Sequence, residues 1–396
     1  MSEPIVSRRT AMAAFGALGA LGGSVSAQDN PAAQVADRTS SIKITRLTAV
    51  PVGPKVFVKI ETNHGVTGWG EIDQLEPKAA AELARSLFEL LDGENPTRIE
   101  HLWQKLYRSH RDMRGGPFMV HTIAGIDMAL WDITGKLWGV PVYRLLGGPT
   151  RDRIRLYPSP KSSKVGAGPA EFSGTPKDFE RYLSLLERAR KDVGPDGAVM
   201  FDAHCALPPP FLIQLAAQIK VGEILFIEEP AVPGNIEVFK RLKQSIGHPL
   251  ATGERDRTIW EMLAYLHEGC IDILQPDCAH TGGITQIRKI SVLAEAYHVP
   301  LAPHCVTTDL GATASLHAAA SVPFLLIHEY YPQLTPEGLA RKQWSMDKDG
   351  YASLPQGIGL GVDVDEAKLD ELSKNPKRPW EWPTRGRLKD GSISDY

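Results

Sequence analysis

Beyond Pro149 the chain alternates short apolar runs with helical segments, and nearly every run ends on one ionisable residue: Asp202, Glu228, Glu254, Asp277, His304 and Glu329. The runs are I-R-L-Y near Ile154, A-V-M-F near Val199, I-L-F-I near Leu225, P-L-A-T near Leu250, I-D-I-L-Q near Ile273, V-P-L-A-P near Leu301 and F-L-L-I-H near Leu326. Strands alternating with helices predict parallel β/α units. Between the second and third strands, Phe211, Leu212, Leu215, Ala216 and Ile219 share one helical face, as a helix packed on a barrel requires. Asp202 and Glu228 are 26 residues apart, Glu228 and Glu254 another 26, and Glu254 and His304 are 50 apart, close to two further units. In a β/α barrel such strand ends converge on one mouth, so side chains distant in sequence surround one ligand.

The region before the barrel reads differently. From Ile42 to Ile72, I-T-R-L-T-A-V, V-F-V-K-I-E-T and T-G-W-G-E-I are punctuated by Pro/Gly and Asn/Gly, which predicts an antiparallel meander. Ile126, Leu130, Ile133 and Leu137 then recur at helical spacing, and Gly139 with Pro141 stops that helix. The expected organisation is an α+β domain over 40–150, a barrel over 151–353 and a C-terminal segment over 354–396.

Residues 1–27 read as a twin-arginine export signal: Arg8-Arg9, a Gly-rich apolar run from Ala11 to Gly23 too short to span a bilayer, and Val25-Ser26-Ala27 before the expected cleavage. A periplasmic protein, free of the membrane once the signal is removed, is the expectation. Net charge is -3 with the basic residues dispersed, which leaves no nucleic-acid footprint and points to a small-molecule substrate. The four cysteines contain no C-x-x-C and are expected to be buried thiols.

Three carboxylates from consecutive strand ends suit a hard divalent cation, and Mg²⁺ favours a few carboxylates with waters and substrate oxygens. Asp202, Glu228 and Glu254 are the expected ligands. Glu229 is expected on the other side of its strand end, in a salt bridge. His304 with Asp277 behind its second nitrogen makes a general-base pair. His204, two residues past Asp202, shares its face in an extended backbone and is placed to act as an acid.

These residues, with R-G-G-P at Arg114, I-A-G-I-D-M-A-L-W-D at Ile123, F-I-E-E-P at Phe226, A-T-G-E at Ala251, Q-P-D-C-A-H-T-G-G-I at Gln275 and D-G-S-I-S-D-Y at the end, resemble the mandelate-racemase-type members of the enolase superfamily. The D-x-H form at Asp202 and His204, with His304, is closest to the sugar-acid (galactonate and mannonate) dehydratases. The resemblance implies a modified β/α barrel with an α+β capping domain, Mg²⁺ on Asp202, Glu228 and Glu254, and proton abstraction by His304 with Asp277. It further implies that His204 protonates the departing 3-hydroxyl, that Glu329 hydrogen-bonds the substrate carboxylate, and that cap loops near Glu71 to Leu75 and Arg114 to Val120 contact the substrate. A homo-oligomer is implied too. An epimerase on the same scaffold and a non-catalytic periplasmic sugar-acid binder are the alternatives.

The chain departs from that pattern between Arg153 and Asp202, where there are too few residues for two full β/α units. One helix, around Lys177 to Lys191, is clear, and 158–174 is Gly/Pro/Ser-rich where a helix and the second strand should stand. The barrel is therefore expected to lack its second strand unit, with Lys161 and Lys164 as loop lysines.

Overall fold

The computed structural model describes residues 41–168 and 175–374. The expected export signal and the terminal D-G-S-I-S-D-Y motif lie outside the described residues.

The meander forms as expected: β1 (Ile44–Val52), β2 (Lys55–Thr62) and β3 (Thr67–Ile72) pair antiparallel in that order. Helices α1 (Pro77–Leu87), α2 (Ile99–Ser109) and α3 (Pro117–Trp138) cover the sheet. Pro117 opens α3 at a position where its missing N–H costs nothing, and left-handed Gly139 closes it. Most of α3 is buried all round because it lies between two layers: Ile123, Ile126 and Leu130 enter the cap core, while Met128 packs with Ile284, Ile287 and Leu310 of the barrel.

The barrel begins at β4 (Arg153–Tyr157), after the short helix α4 (Val142–Leu145). It continues through β5 (Ser162–Gly166), α5 (Pro176–Val193), β6 (Ala198–Asp202), α6 (Pro209–Ala216), β7 (Ile227–Glu228), α7 (Ile236–Ser245), β8 (Leu250–Thr252), α8 (Thr258–Glu268) and β9 (Ile273–Leu274). β5 to β9 form one parallel sheet. After α9 (Ile284–Ala296), bridges from Leu274 to Leu301 and from Leu301 to Leu325 carry the ring onward. α10 (Asp309–Ser321) follows, and β10 (His328–Glu329) pairs in parallel with β4. Tyr157, Met200, Phe226, Ala251, Ile273, Ala302 and Ile327, from around the ring with none from β5, fill the interior.

The second strand is present, which corrects the expectation. β5 runs parallel to β6 from Ser162↔Ala198 to Gly166↔Asp202. What is missing is the helix between the first two strands, replaced by the turn through Ser159, where Ser159 and Ser162 exchange backbone hydrogen bonds. The segment S-S-K-V-G escapes recognition because its inward positions are polar: Ser162 is buried and bonds the Leu156 carbonyl, and Lys164 points to the mouth.

Past the barrel, β12 (Tyr351–Ser353) pairs antiparallel with β4, and β11 (Ala340–Lys342) with β13 (Val362–Val364). Asp132 of α3 accepts from Trp69 N and from Leu360 N, tying sheet, helix and tail at one carboxylate. All four cysteines are free thiols.

Candidate active site

The six ionisable strand-end residues gather at one mouth, because parallel strands of a closed ring present their C-terminal ends together. Backbone geometry aims them. Gly253 has φ +140°, and a Cβ there would stand 3.0 Å from Gln275 N, so only glycine lets β8 pass β9 closely enough to bring Glu254 inward. His204, Cys205 and Glu229 take positive φ just after Asp202 and Glu228. Such strain costs about 1–3 kcal/mol per residue and persists only where the surroundings impose it; here Ala203 N donates to Glu228 O and Cys205 N to Glu229 O.

Lys164, expected in a loop, stands at the centre. Its Nζ lies 2.7 Å from Glu329 Oε1 and 3.1 Å from both Asp202 Oδ2 and Glu228 Oε1. Against its burial, these carboxylates hold the ammonium pKa well above the usual lysine value. The only trace of this in the sequence is parity: Lys164 is two residues from inward-facing Ser162.

His304 Nδ1 donates to Asp277 Oδ2 at 2.6 Å, and its Nε2 lies 3.3 Å from Glu254 and 3.6 Å from Glu329. Against burial, Glu254, Glu329 and Asp277 hold the imidazole well above its ordinary pKa. Against the same burial, His280 and His304 hold the Asp277 carboxyl below the usual range. His280 is fixed by the Glu254 carbonyl at 2.8 Å and stacks on His121 of α3, whose Nδ1 meets the Asp73 carbonyl at 3.0 Å.

His204 does not share Asp202's face through an extended strand as expected: it sits in a left-handed turn at φ 49°, and its Nε2 lies 3.7 Å from Asp202 Oδ2. Burial lowers its pKa and Asp202 opposes that. Glu329 is pulled down to about 2, burial being outweighed by Lys164 and His304. Lys164, beside it, offers a second donor to a substrate carboxylate. Glu229 turns away as expected, into a two-pronged pair with Arg255. Arg114 is exposed in the turn before α3, near Tyr107, and makes no ion pair among the described residues.

The donors fit a hard cation. Glu228 Oε2 is buried and accepts no hydrogen bond among the described residues, while Asp202 Oδ2 and Glu254 Oε2 are buried beside Lys164 Nζ at 3.1 Å and His304 Nε2 at 3.3 Å. Burial drives Glu228 well above the usual carboxylate pKa and Glu254 up to about 8, as for anions short of positive charge. Lys164, Arg255 and a protonated His304 leave a negative excess once Glu229 and Asp277 are counted. Tighter ligand groupings occur at Asp202, His204 and Glu229 and at Asp277, His280 and His304. In the first, Arg255 already occupies Glu229, and the second contains a formed hydrogen bond; in the triad Lys164 shares Asp202 and Glu228, but the open Glu228 oxygen and the anionic excess favour a cation there.

A β/α barrel with a carboxylate triad, a carboxylate-backed histidine and a cap packed on its mouth defines an enzyme of the enolase superfamily. Residues 32–147 match the mandelate racemase/muconate lactonizing enzyme N-terminal domain, and 160–368 match the enolase C-terminal domain-like family. The chain belongs to the mandelate racemase/muconate lactonizing enzyme family. It is 34% identical to D-galactonate dehydratase of Ralstonia pickettii (strain 12J) over 385 residues, covering 90% of this chain and 100% of that protein. The structure of an enolase from Agrobacterium radiobacter, bound to Na and L-malate, superposes with TM-score 0.79 at 29% identity, covering 89% of this chain and 99% of the other. The 3,6-anhydro-D-galactonate cycloisomerase of Zobellia galactanivorans gives TM-score 0.76 at 28% identity, covering 83% and 99%.

Proposed function

We propose that the protein is a magnesium-dependent dehydratase of an aldonate such as galactonate, mannonate or gluconate, producing a 2-keto-3-deoxy acid. The carrying observation is that two imidazoles on different strand ends border one carboxylate cluster: His304, backed by Asp277 at 2.6 Å, and His204, 3.7 Å from Asp202. The similarity to D-galactonate dehydratases supports the reaction class.

Asp202, Glu228 and Glu254 would hold Mg²⁺, which supplies positive charge where the substrate carboxylate gains electrons. With Nδ1–H donated to Asp277, neutral His304 takes the proton α to the carboxylate on Nε2, the atom that faces the cluster. The electron pair left at that carbon delocalises into the carboxylate as an enediolate. Lys164 adds a fixed positive charge beside it, and a preformed charge in a water-poor site needs no reorganisation as the reaction proceeds. The enediolate then collapses, the C3–O bond breaks, and His204 gives its proton so that the hydroxyl leaves as water. The enol product tautomerises to the 2-keto acid. Burial lowers the His204 pKa despite Asp202, which makes its protonated form the stronger acid toward the departing hydroxyl.

The test is a screen of aldonic and aldaric acids with Mg²⁺, with and without chelator, detecting 2-keto-3-deoxy products with a carbonyl reagent. A chelator-sensitive carbonyl on one acid establishes the reaction. Exchange of the α-hydrogen with solvent and no carbonyl product would replace dehydration by epimerisation. We also propose export through Arg8-Arg9 and assembly as a homo-oligomer; periplasmic fractionation of the chain and of R8K/R9K, and sedimentation of the mature protein, test these.

A further inference from the structure

The loop leaving His304 is gripped by the cap as well as by the barrel. Two residues past His304, the Val306 carbonyl accepts a hydrogen bond from Lys55 Nζ of β2. Four residues past it, Thr308 N donates to Glu71 Oε1 of β3 at 3.0 Å, and the Thr308 hydroxyl donates to Glu71 Oε2. Gly311 N, in the first turn of α10, reaches the same oxygen at 3.2 Å. Lys55 also pairs with Asp73 and lies 4.0 Å from Glu71. A carboxylate from the cap therefore caps a barrel helix, where unpaired backbone N–H groups and the positive end of the helix dipole meet it.

Lys55, Glu71 and Asp73 are all buried, and the chemistry above uses none of them. Buried charge is retained at a contact only when its hydrogen bonds are made: Lys55 and Glu71 direct theirs at residues 306–311, and Asp73 pairs with Lys55 and accepts from Gln74 N. His304 itself is tied by Asp277 at its ring and by Glu329, which accepts from Cys305 N at 3.0 Å. The remaining freedom is the path of 306–308.

We infer that Lys55 and Glu71 are positioning residues for His304: from the cap they fix the loop that carries the base, so the imidazole is in register only with the cap seated. This rests on His304 being the base. A displacement of about 1 Å at a reacting group is enough to cost about a hundredfold in rate.

Three variants test it. Glu71→Gln keeps the shape but sets an amide NH2, a donor, against one of the two N–H groups that the carboxylate accepts from; Thr308→Val removes the hydroxyl donor; Thr308→Ser restores it. Turnover and the far-downfield proton resonance of the His304–Asp277 hydrogen bond, assigned by its loss in His304→Asn, are read well below the unfolding temperature. We expect E71Q and T308V to lose roughly tenfold to a hundredfold in kcat with KM within about threefold, and to shift or broaden that resonance, while T308S resembles the parent. Parental kcat and resonance in E71Q and T308V, even with lowered melting temperatures, would reduce the contact to stability alone and overturn the inference. If E71Q does not fold, the Thr308 pair decides. If the parent turns over no acid, the function reading fails, and the resonance still decides the positioning: unchanged in T308V overturns it.

Discussion

The ammonium of Lys164 lies 2.7 Å from the Glu329 carboxylate, and the same nitrogen lies 3.1 Å from Asp202 and from Glu228. One inward lysine thus carries the repulsion among three strand-end anions.

Lys164→Met should therefore separate metal binding from turnover. With the ammonium gone, Mg²⁺ should bind more tightly by calorimetry, while kcat falls by about 10²–10³-fold because a preorganised charge is lost. Denaturant titration without metal should show a loss of about 3–5 kcal/mol, the cost of breaking a buried pair. Equal or weaker Mg²⁺ affinity would place Lys164 outside the metal's field.

Removing the metal should itself destabilise the fold. Burial raises Glu228 and Glu254, so without metal the cluster holds protons that the cation would displace, and Mg²⁺ affinity should rise with pH. Mg²⁺ at about 100 times its Kd should add about 2.7 kcal/mol, read as a melting temperature that climbs with concentration. Glu254→Gln should lose most of that dependence, while His304→Asn should keep it and lose turnover.

The acid limb of kcat/KM reports the deprotonation of His304. Its neighbours hold the imidazole above 6.5, against burial, so activity should rise with pH through a midpoint above that value. Asp277→Asn weakens one of those holds, so the midpoint should move down while kcat drops about 10²–10⁴-fold from loss of the working tautomer. An unmoved midpoint would detach Asp277 from the base.

His317 and His328 are buried and neutral, burial lowering each to about 4 against backbone hydrogen bonds that oppose it. The unfolded chain takes up their protons near pH 6.5 and the folded one only near 4, so their contribution is intact above 6.5 and lost as pH falls through that window. Each gap is worth about 3 kcal/mol when complete. His317→Gln, which can still serve Tyr143 N and the Leu360 carbonyl, should flatten the fall in denaturation midpoint between pH 7 and 5 by about one proton.

The legible part of the site is the part that repeats. Asp202, Glu228, Glu254, Asp277, His304 and Glu329 stand out because each closes an apolar strand, and parallel strands in a ring bring such ends together. Helix α3 was legible for the same reason: Ile126, Leu130 and Ile133 mark its buried face, and Gly139 supplies the left-handed stop.

Tertiary structure decided the rest. β5 carries no apolar alternation, since its inward side chains serve the mouth, and a lysine becomes tolerable there only when carboxylates from three other strands surround it. His204 meets Asp202 through a left-handed turn that extended geometry does not anticipate, and Glu71 caps a helix 237 residues away. Sequence order records periodic burial directly, because periodicity is local. Charge compensation and capping between domains depend on which backbones lie within about 3 Å of one another, and only the closed fold sets that distance.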